Sequence, residues 1–378
     1  MTRVLAALAL AATLLVPPTA RAGDAELIAR ALPRLVHRGG PFLAHTRIVT
    51  VTFAADDAAL VRHLARFGDV ITRSGWWRTV TEGLCAANGE CMGTGRPGRH
   101  VVLADDLSAE LHATALAALL ERAIAAGTLG ALDDDTLVLV YLPAGVALRD
   151  AFVPRYCGGG PRGFHRALRL PAQTLPYAVV PRCGDAADLT ATASHEILEA
   201  ATNPDPSRRG FAFDGGSTTA GFTAAGVEPV DPCGLLTRAG HRTTADGFVV
   251  QRAWSNRAAA RGIDPCVPDR SDRPFHALVP AQPTIRLRRP GERATVVVTA
   301  AASQPTAPWD VAAIDLTGEQ RGARYLDVSL DRTRAAAADV LTLTIVARAV
   351  PPGELAVVGL VSRDGTTRDL WPLAVVMR

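Results

Sequence analysis

Residues 189–206 read LTATASHEILEAATNPDP. Wound as a helix, the segment puts His195 and Glu199 on one face, four residues apart, with Glu196 about 100° further round. Ile197 and Ala201 point to another side, where they can pack. Asn203-Pro204 stops the helix, because the residue before a proline is pushed out of the α region. An imidazole and a carboxylate one turn apart can hold one metal ion, and a neighbouring carboxylate can handle the proton of a metal-bound water. The competing reading is a solvated helix face carrying two ordinary glutamates and a surface histidine. Just upstream, YAVVP (177–181) reads as a strand leading through Cys183 into this helix.

The run His195-Glu196-Ile197-Leu198-Glu199 resembles the zinc-protease helix motif HExxH, with glutamate in place of the second histidine. Strand, short turn and metal helix also resemble the layout of zincin catalytic domains. Glutamate is a competent oxygen ligand for zinc, but it lowers the positive charge of the site and makes a bound water a poorer acid. The resemblance implies Zn2+ on His195 and Glu199, with Glu196 as the proton acceptor. In glutamate-type zincins the third ligand is an acid on a later segment. Glu228 is the first choice here, Asp231 the runner-up and His241 a further candidate; against them stands the reading of ordinary loop acids between prolines. HEILEAATNP, the Glu228-to-Cys233 stretch and VQRAWSN together look like a group of poorly characterised exported bacterial proteins, a likeness that carries no established reaction.

The first 22 residues, MTRVLAALALAATLLVPPTARA, have a basic start, an apolar run and an Ala-Arg-Ala end. They read as a secretory signal peptide, with cleavage expected before Gly23. The apolar run is too short to span a membrane, and no second long one follows. The expectation is a secreted protein, extracellular or periplasmic, with no membrane span. The 378 residues carry a formal charge of +3 and every basic residue is arginine, a composition that fits a GC-rich bacterial coding bias. The arginines are scattered and balanced by acids, which argues against a nucleic-acid partner. Six cysteines in an exported chain are expected to be oxidised, and nearest-neighbour pairing gives Cys85–Cys91, Cys157–Cys183 and Cys233–Cys266.

Along the chain, residues 46–53 and 136–142 read as strands, and 56–68 as an amphipathic helix on Leu60, Leu64 and Phe67. A strong helix is expected over 108–127, with Leu111, Ala115, Leu119 and Ile124 as its buried stripe. Trp76-Trp77 fit core packing or a lid better than a substrate clamp. Asp133-Asp134-Asp135 read as a charged turn, since they lack the spacing of a calcium loop. The glycine-rich YCGGGPRGFH (156–165) is no phosphate loop, and His165 reads as a surface hydrogen-bonding histidine.

The expected fold class is α+β: a zincin-like mixed α/β domain over 23–266, a proline-rich linker over 267–283, and an all-β module over 284–378. In that module seven short alternating runs begin at Thr284, Ala294, Trp309, Tyr325, Val340, Leu355 and Arg368. They suggest an immunoglobulin-like sandwich, and PPGE (351–354) followed by LAVVGLV resembles the late hairpin of bacterial Ig-like modules.

Two functions follow from these readings. The first is a secreted zinc-dependent hydrolase, a peptidase acting on extracellular peptide or protein. The second is a catalytically inert exported or envelope-associated binding protein with a structural metal site or none, making wall or glycan contact through the C-terminal module. A calcium site on Glu199, Glu228 and Asp231 is weaker, since a histidine at its centre does not suit a hard oxygen-seeking cation.

Overall fold

The structure is a computed structural model that describes residues 22–158, 160–214, 220–223, 228–236, 241–268, 273–348 and 354–377. Residues 1–21 of the expected leader (1–22), 269–272 of the expected linker, Gly215-Gly216 and Pro351 to Gly353 lie outside the described residues.

A five-stranded sheet organises the first part of the chain, in the order Arg99–Leu103, Arg47–Phe53, Thr136–Tyr141, Thr174–Val180, Phe164–Arg169. The first four strands are parallel and the last is antiparallel to its neighbour. The central strand TLVLVY is buried along its whole length, as expected of a strand covered on both faces. Its period of two splits the core. Leu137, Leu139 and Tyr141 join one cluster, with Leu64 and Phe67 of the helix Ala58–Val70 and Ile197 of the helix Ala186–Thr202. Val138 and Val140 join another, with Leu116, Leu119 and Leu120 of the helix Ala113–Ala125. The result is a three-layer unit with helices on both faces.

The helix expected over 108–127 starts late. Residues Glu110–His112 form a short strand parallel to Ala147–Arg149, and His112 caps the helix. The buried stripe therefore falls on Leu116, Leu119 and Leu120, and Ala115 is exposed. Trp76 and Trp77 lie in a short helix, Gly75–Thr81, and are buried core residues. Asp133 and Asp135 form a charged turn paired with Arg47 and Arg96. All three expected disulfides are present: Cys85–Cys91, Cys157–Cys183 and Cys233–Cys266.

The C-terminal part is a β-sandwich. One sheet runs His276–Pro280, Arg293–Ala302, Val340–Ala347, Leu326–Leu330; the other runs Thr284–Leu287, Thr367–Met377, Leu355–Asp364, Trp309–Asp315, Arg334–Ala335. In Val340–Ala347, Leu341, Leu343, Ile345 and Ala347 alternate into the buried interior. All seven expected strands are found. The expected linker is corrected in part: His276–Pro280 is a strand that pairs with Arg293–Ala302, because Ala277, Leu278 and Val279 have an apolar layer to fill. The two parts are also not separated by solvent. Phe222 stacks edge-on against both Trp254 and Trp371, and a Cβ on Gly221 would fall 2.3 Å from the Pro372 carbonyl, so one apolar seam joins them.

Candidate metal centre

The helix Ala186–Thr202 begins where the sheet strand Thr174–Val180 ends. Asp185 caps it, its side chain accepting from the Asp188 amide at 2.9 Å. Small residues let other elements press close. Thr190 and Ser194, one turn apart, grip the strand Phe248–Gln251: the Thr190 hydroxyl donates to the Val249 carbonyl and the Ser194 hydroxyl accepts from the Gln251 amide, both at 2.8 Å. The solvated-face reading fails, since the helix is buried on nearly every side and Glu196 and Glu199 are 6% and 4% exposed.

Glu199 lies at the centre of the cluster. His195 Nε2 is 3.0 Å from Glu199 Oε2 and 3.7 Å from Asp231 Oδ1. The other ring nitrogen, Nδ1, donates to Gln251 Oε1 at 3.1 Å. Gln251 is held in turn by the Trp76 indole, which donates to its carbonyl at 2.8 Å. His165 enters from the antiparallel edge strand Phe164–Arg169. Its Nδ1 lies 3.5 Å from Glu196 Oε2 and 3.9 Å from Glu199 Oε2, and its Nε2 faces Glu228 Oε1 at 3.5 Å. Glu228 accepts from Asn203 Nδ2 at 2.7 Å. All six groups line one cleft of about 550 Å³, with His241, Arg162, Arg242 and Gln251 also on its wall.

Of the two acids expected as third ligand, Asp231 therefore lies beside His195 and Glu199, whereas Glu228 lies beside His165. His195, Glu199 and Asp231 offer ligand atoms within 4.8 Å of one another, and so do His165, Glu196 and Glu199. His165, expected at the surface, is buried, its side chain only 8% exposed. Its strand, FHRALR, has no clean alternation. The signals that could have found it are the Cys157–Cys183 tether, which brings its loop to the root of the metal helix, and Gly163, where a Cβ would fall 2.7 Å from Glu196 Oε1.

Burial disfavours charge on Glu199, Glu228, Asp231 and both histidines, and these groups act on one another. Burial pushes Glu199 up to about 8 and Asp231 up to about 6, with His195 pulling each of them back. Burial would lower both histidines, yet Glu199 holds His195 well above its usual value. The Glu196 and Glu228 carboxylates beside it likewise hold His165 at about 10. Glu228 is held low by His165 against its own desolvation. Glu199 Oε1 and His165 Nε2 are buried and have no hydrogen-bond partner. Orphaned donor atoms within a mixed imidazole and carboxylate set fit a divalent transition cation.

No protein-family description and no curated protein matches this sequence. Among the solved structures that resemble it, two show how weak the likeness is. A Bacteroides ovatus GH5 xyloglucanase in complex with a XXXG heptasaccharide is 14% identical with a TM-score of 0.18, over 27% of this chain and 19% of that one. A chimeric titin Z1Z2 functionalized with a KLER exogenous peptide from decorin is 14% identical with a TM-score of 0.19, over 28% of this chain and 93% of that one. Neither likeness carries an argument about fold or function.

Proposed function

We propose that this chain is a secreted, metal-dependent hydrolase of zincin-like type that cleaves peptide bonds. The observation that carries the reading is the convergence of His195 and Glu199, from one helix, with Asp231 from a separate segment, beside Glu196 in an open cleft. A divalent cation on those three groups, zinc if the motif resemblance holds, would supply Lewis acidity toward a carbonyl and toward water.

The chain's own residues do the rest. Gln251 Oε1 accepts a hydrogen bond from His195 Nδ1–H, which leaves the Nε2 lone pair turned inward. Glu196 accepts the proton of the attacking water as its oxygen bonds to the carbonyl carbon. The same carboxyl returns that proton to the nitrogen as the C–N bond breaks. Three disulfides support export, and among the described residues no helix is long and apolar enough to cross a membrane. In the C-terminal module the first, second, fifth and fourth long strands share one sheet, which supports an immunoglobulin-like reading of the sandwich. Such a module suits a spacing role or wall or glycan contact.

The test is metal analysis of the mature protein beside His195→Ala, followed by a peptide-library assay with Glu196→Gln. The expected results are bound metal that is lost in His195→Ala, and hydrolysis reduced about 10²- to 10⁴-fold in Glu196→Gln at unchanged metal content. Absence of metal after loading overturns the reading. Metal without hydrolysis leaves a structural site in an exported binding protein.

A further inference from the structure

The cleft holds more ligands than one catalytic cation uses. A mononuclear site takes three protein groups, which His195, Glu199 and Asp231 provide. That leaves His165, Glu196 and Glu228 unassigned as ligands, all facing the same space. We propose that the cleft binds a second divalent transition cation through His165, Glu196 and Glu199, with Glu199 shared between the two centres. This inference rests on the metal reading of His195, Glu199 and Asp231.

Three observations carry it. The potential ligands fall into two groups of three that have only Glu199 in common, which describes two adjacent centres sharing one carboxylate. Glu199 Oε1 is then the atom that needs a partner: its side chain is 5% exposed and the oxygen accepts no hydrogen bond. Second, the two histidines are set alike. Each turns one nitrogen toward Glu199 and the other toward an outer oxygen: His195 Nδ1 donates to Gln251 Oε1, and His165 Nε2 faces Glu228 Oε1 at 3.5 Å. That is how proteins orient metal-binding imidazoles, and Asn203 fixes the outer carboxylate further.

The third observation is charge. Glu196, Glu199, Glu228 and Asp231 face two imidazoles that must be neutral to bind metal. Four carboxylates then call for two divalent cations. The rim arginines do not meet that need, because Arg162 and Arg242 both pair with Asp188. In this arrangement Glu196 binds through Oε2, the oxygen facing His165. Its Oε1, on the Gly163 side, remains to take the proton of the attacking water.

The experiment uses the full mature chain, stripped with chelator, reloaded with Mn2+ and desalted. Metal is counted by mass spectrometry and the ions are probed by electron paramagnetic resonance. The wild type is expected to bind about two ions per chain, close enough to show exchange coupling, as in two-metal sites about 3.5–4 Å apart. His165→Ala is expected to retain about one, with no coupling. A wild-type count of one, uncoupled and lost in His195→Ala, overturns the second site and leaves the mononuclear reading standing. Retention of both ions in His165→Ala also overturns it. No bound metal in the wild type overturns both readings. The wild-type count and coupling need no variant, so they decide the matter even if His165→Ala fails to fold, which circular dichroism reports.

Discussion

In the sandwich, most of the ion pairs lie where water reaches them. Arg334 with Asp310, at 67% and 71% exposure, is such a pair, and Arg321 with Glu354 is another. A buried pair there, His276 with Asp369, sets one imidazole against one carboxylate. The three-layer unit instead gathers four carboxylates around two imidazoles in one cleft. Surface pairs contribute little and cost little, whereas buried charge left unbalanced is expensive. The comparison teaches that the sandwich keeps its charges in balanced pairs, while the three-layer unit carries an electrostatic burden that a bound cation would relieve.

The comparison breaks if the sheet of the sandwich away from the aromatic seam shapes the site or the site needs no cation. Leu343→Ala, deep between the two sheets, is expected to cost about 2–5 kcal/mol in chemical denaturation while metal content stays the same. Loss of metal in this variant would show that the two regions are not independent in this sense. Replacing Cys233 and Cys266 together by serine is expected to cost about 2–4 kcal/mol. This change should also weaken metal binding in equilibrium dialysis, because Asp231 opens the helix that carries Cys233.

Saturating the chelated protein with Zn2+ is expected to raise its stability by about 2.7 kcal/mol at a hundredfold excess over Kd. Differential scanning calorimetry would read this, and an unchanged melting temperature would remove the contrast between the two regions. The smallest effect concerns Asp150. It accepts from the Phe152 and Val153 amides and from the Tyr156 hydroxyl and pairs with Arg166, so despite desolvation its carboxyl is held down at about 2. A carboxyl depressed in the folded state adds stability above its unfolded value, about 3.9, and that stability is lost as pH falls toward 2. Asp150→Asn is therefore expected to flatten the acid limb of the stability curve between about pH 4 and 2. An unchanged limb would mean that this carboxylate is not what acid disrupts.

Elements specified by local chemistry were legible in the sequence. Asn203-Pro204 ended the metal helix where expected, and the punctuated alternation of the C-terminal runs located seven strands. Cysteine proximity gave all three bridges. Long-range contacts defeated the reading elsewhere. Glu110–His112 fits the period of the following helix but is drawn into a strand by Ala147–Arg149, distant in sequence. His276–Pro280 was hidden by its prolines, since their turn signal outweighs a short apolar run until the partner strand is known. His165 was missed for the same reason: an imidazole on an edge strand has no local mark of what lies across the cleft from it.

The aromatic seam has a temporal consequence. The helix Asp231–Leu236 rests on the strand Thr367–Met377, and Phe222 just before it packs on Trp371. A ribosome delivers His165, His195 and Glu199 long before that strand exists. The acid that faces His195 from the far wall gains its backing only when the last strand inserts. Full assembly of the cleft thus waits on a strand made well after the residues that line it, and a polypeptide truncated before Thr367 would carry the helix of His195 and Glu199 without the buttress behind Asp231.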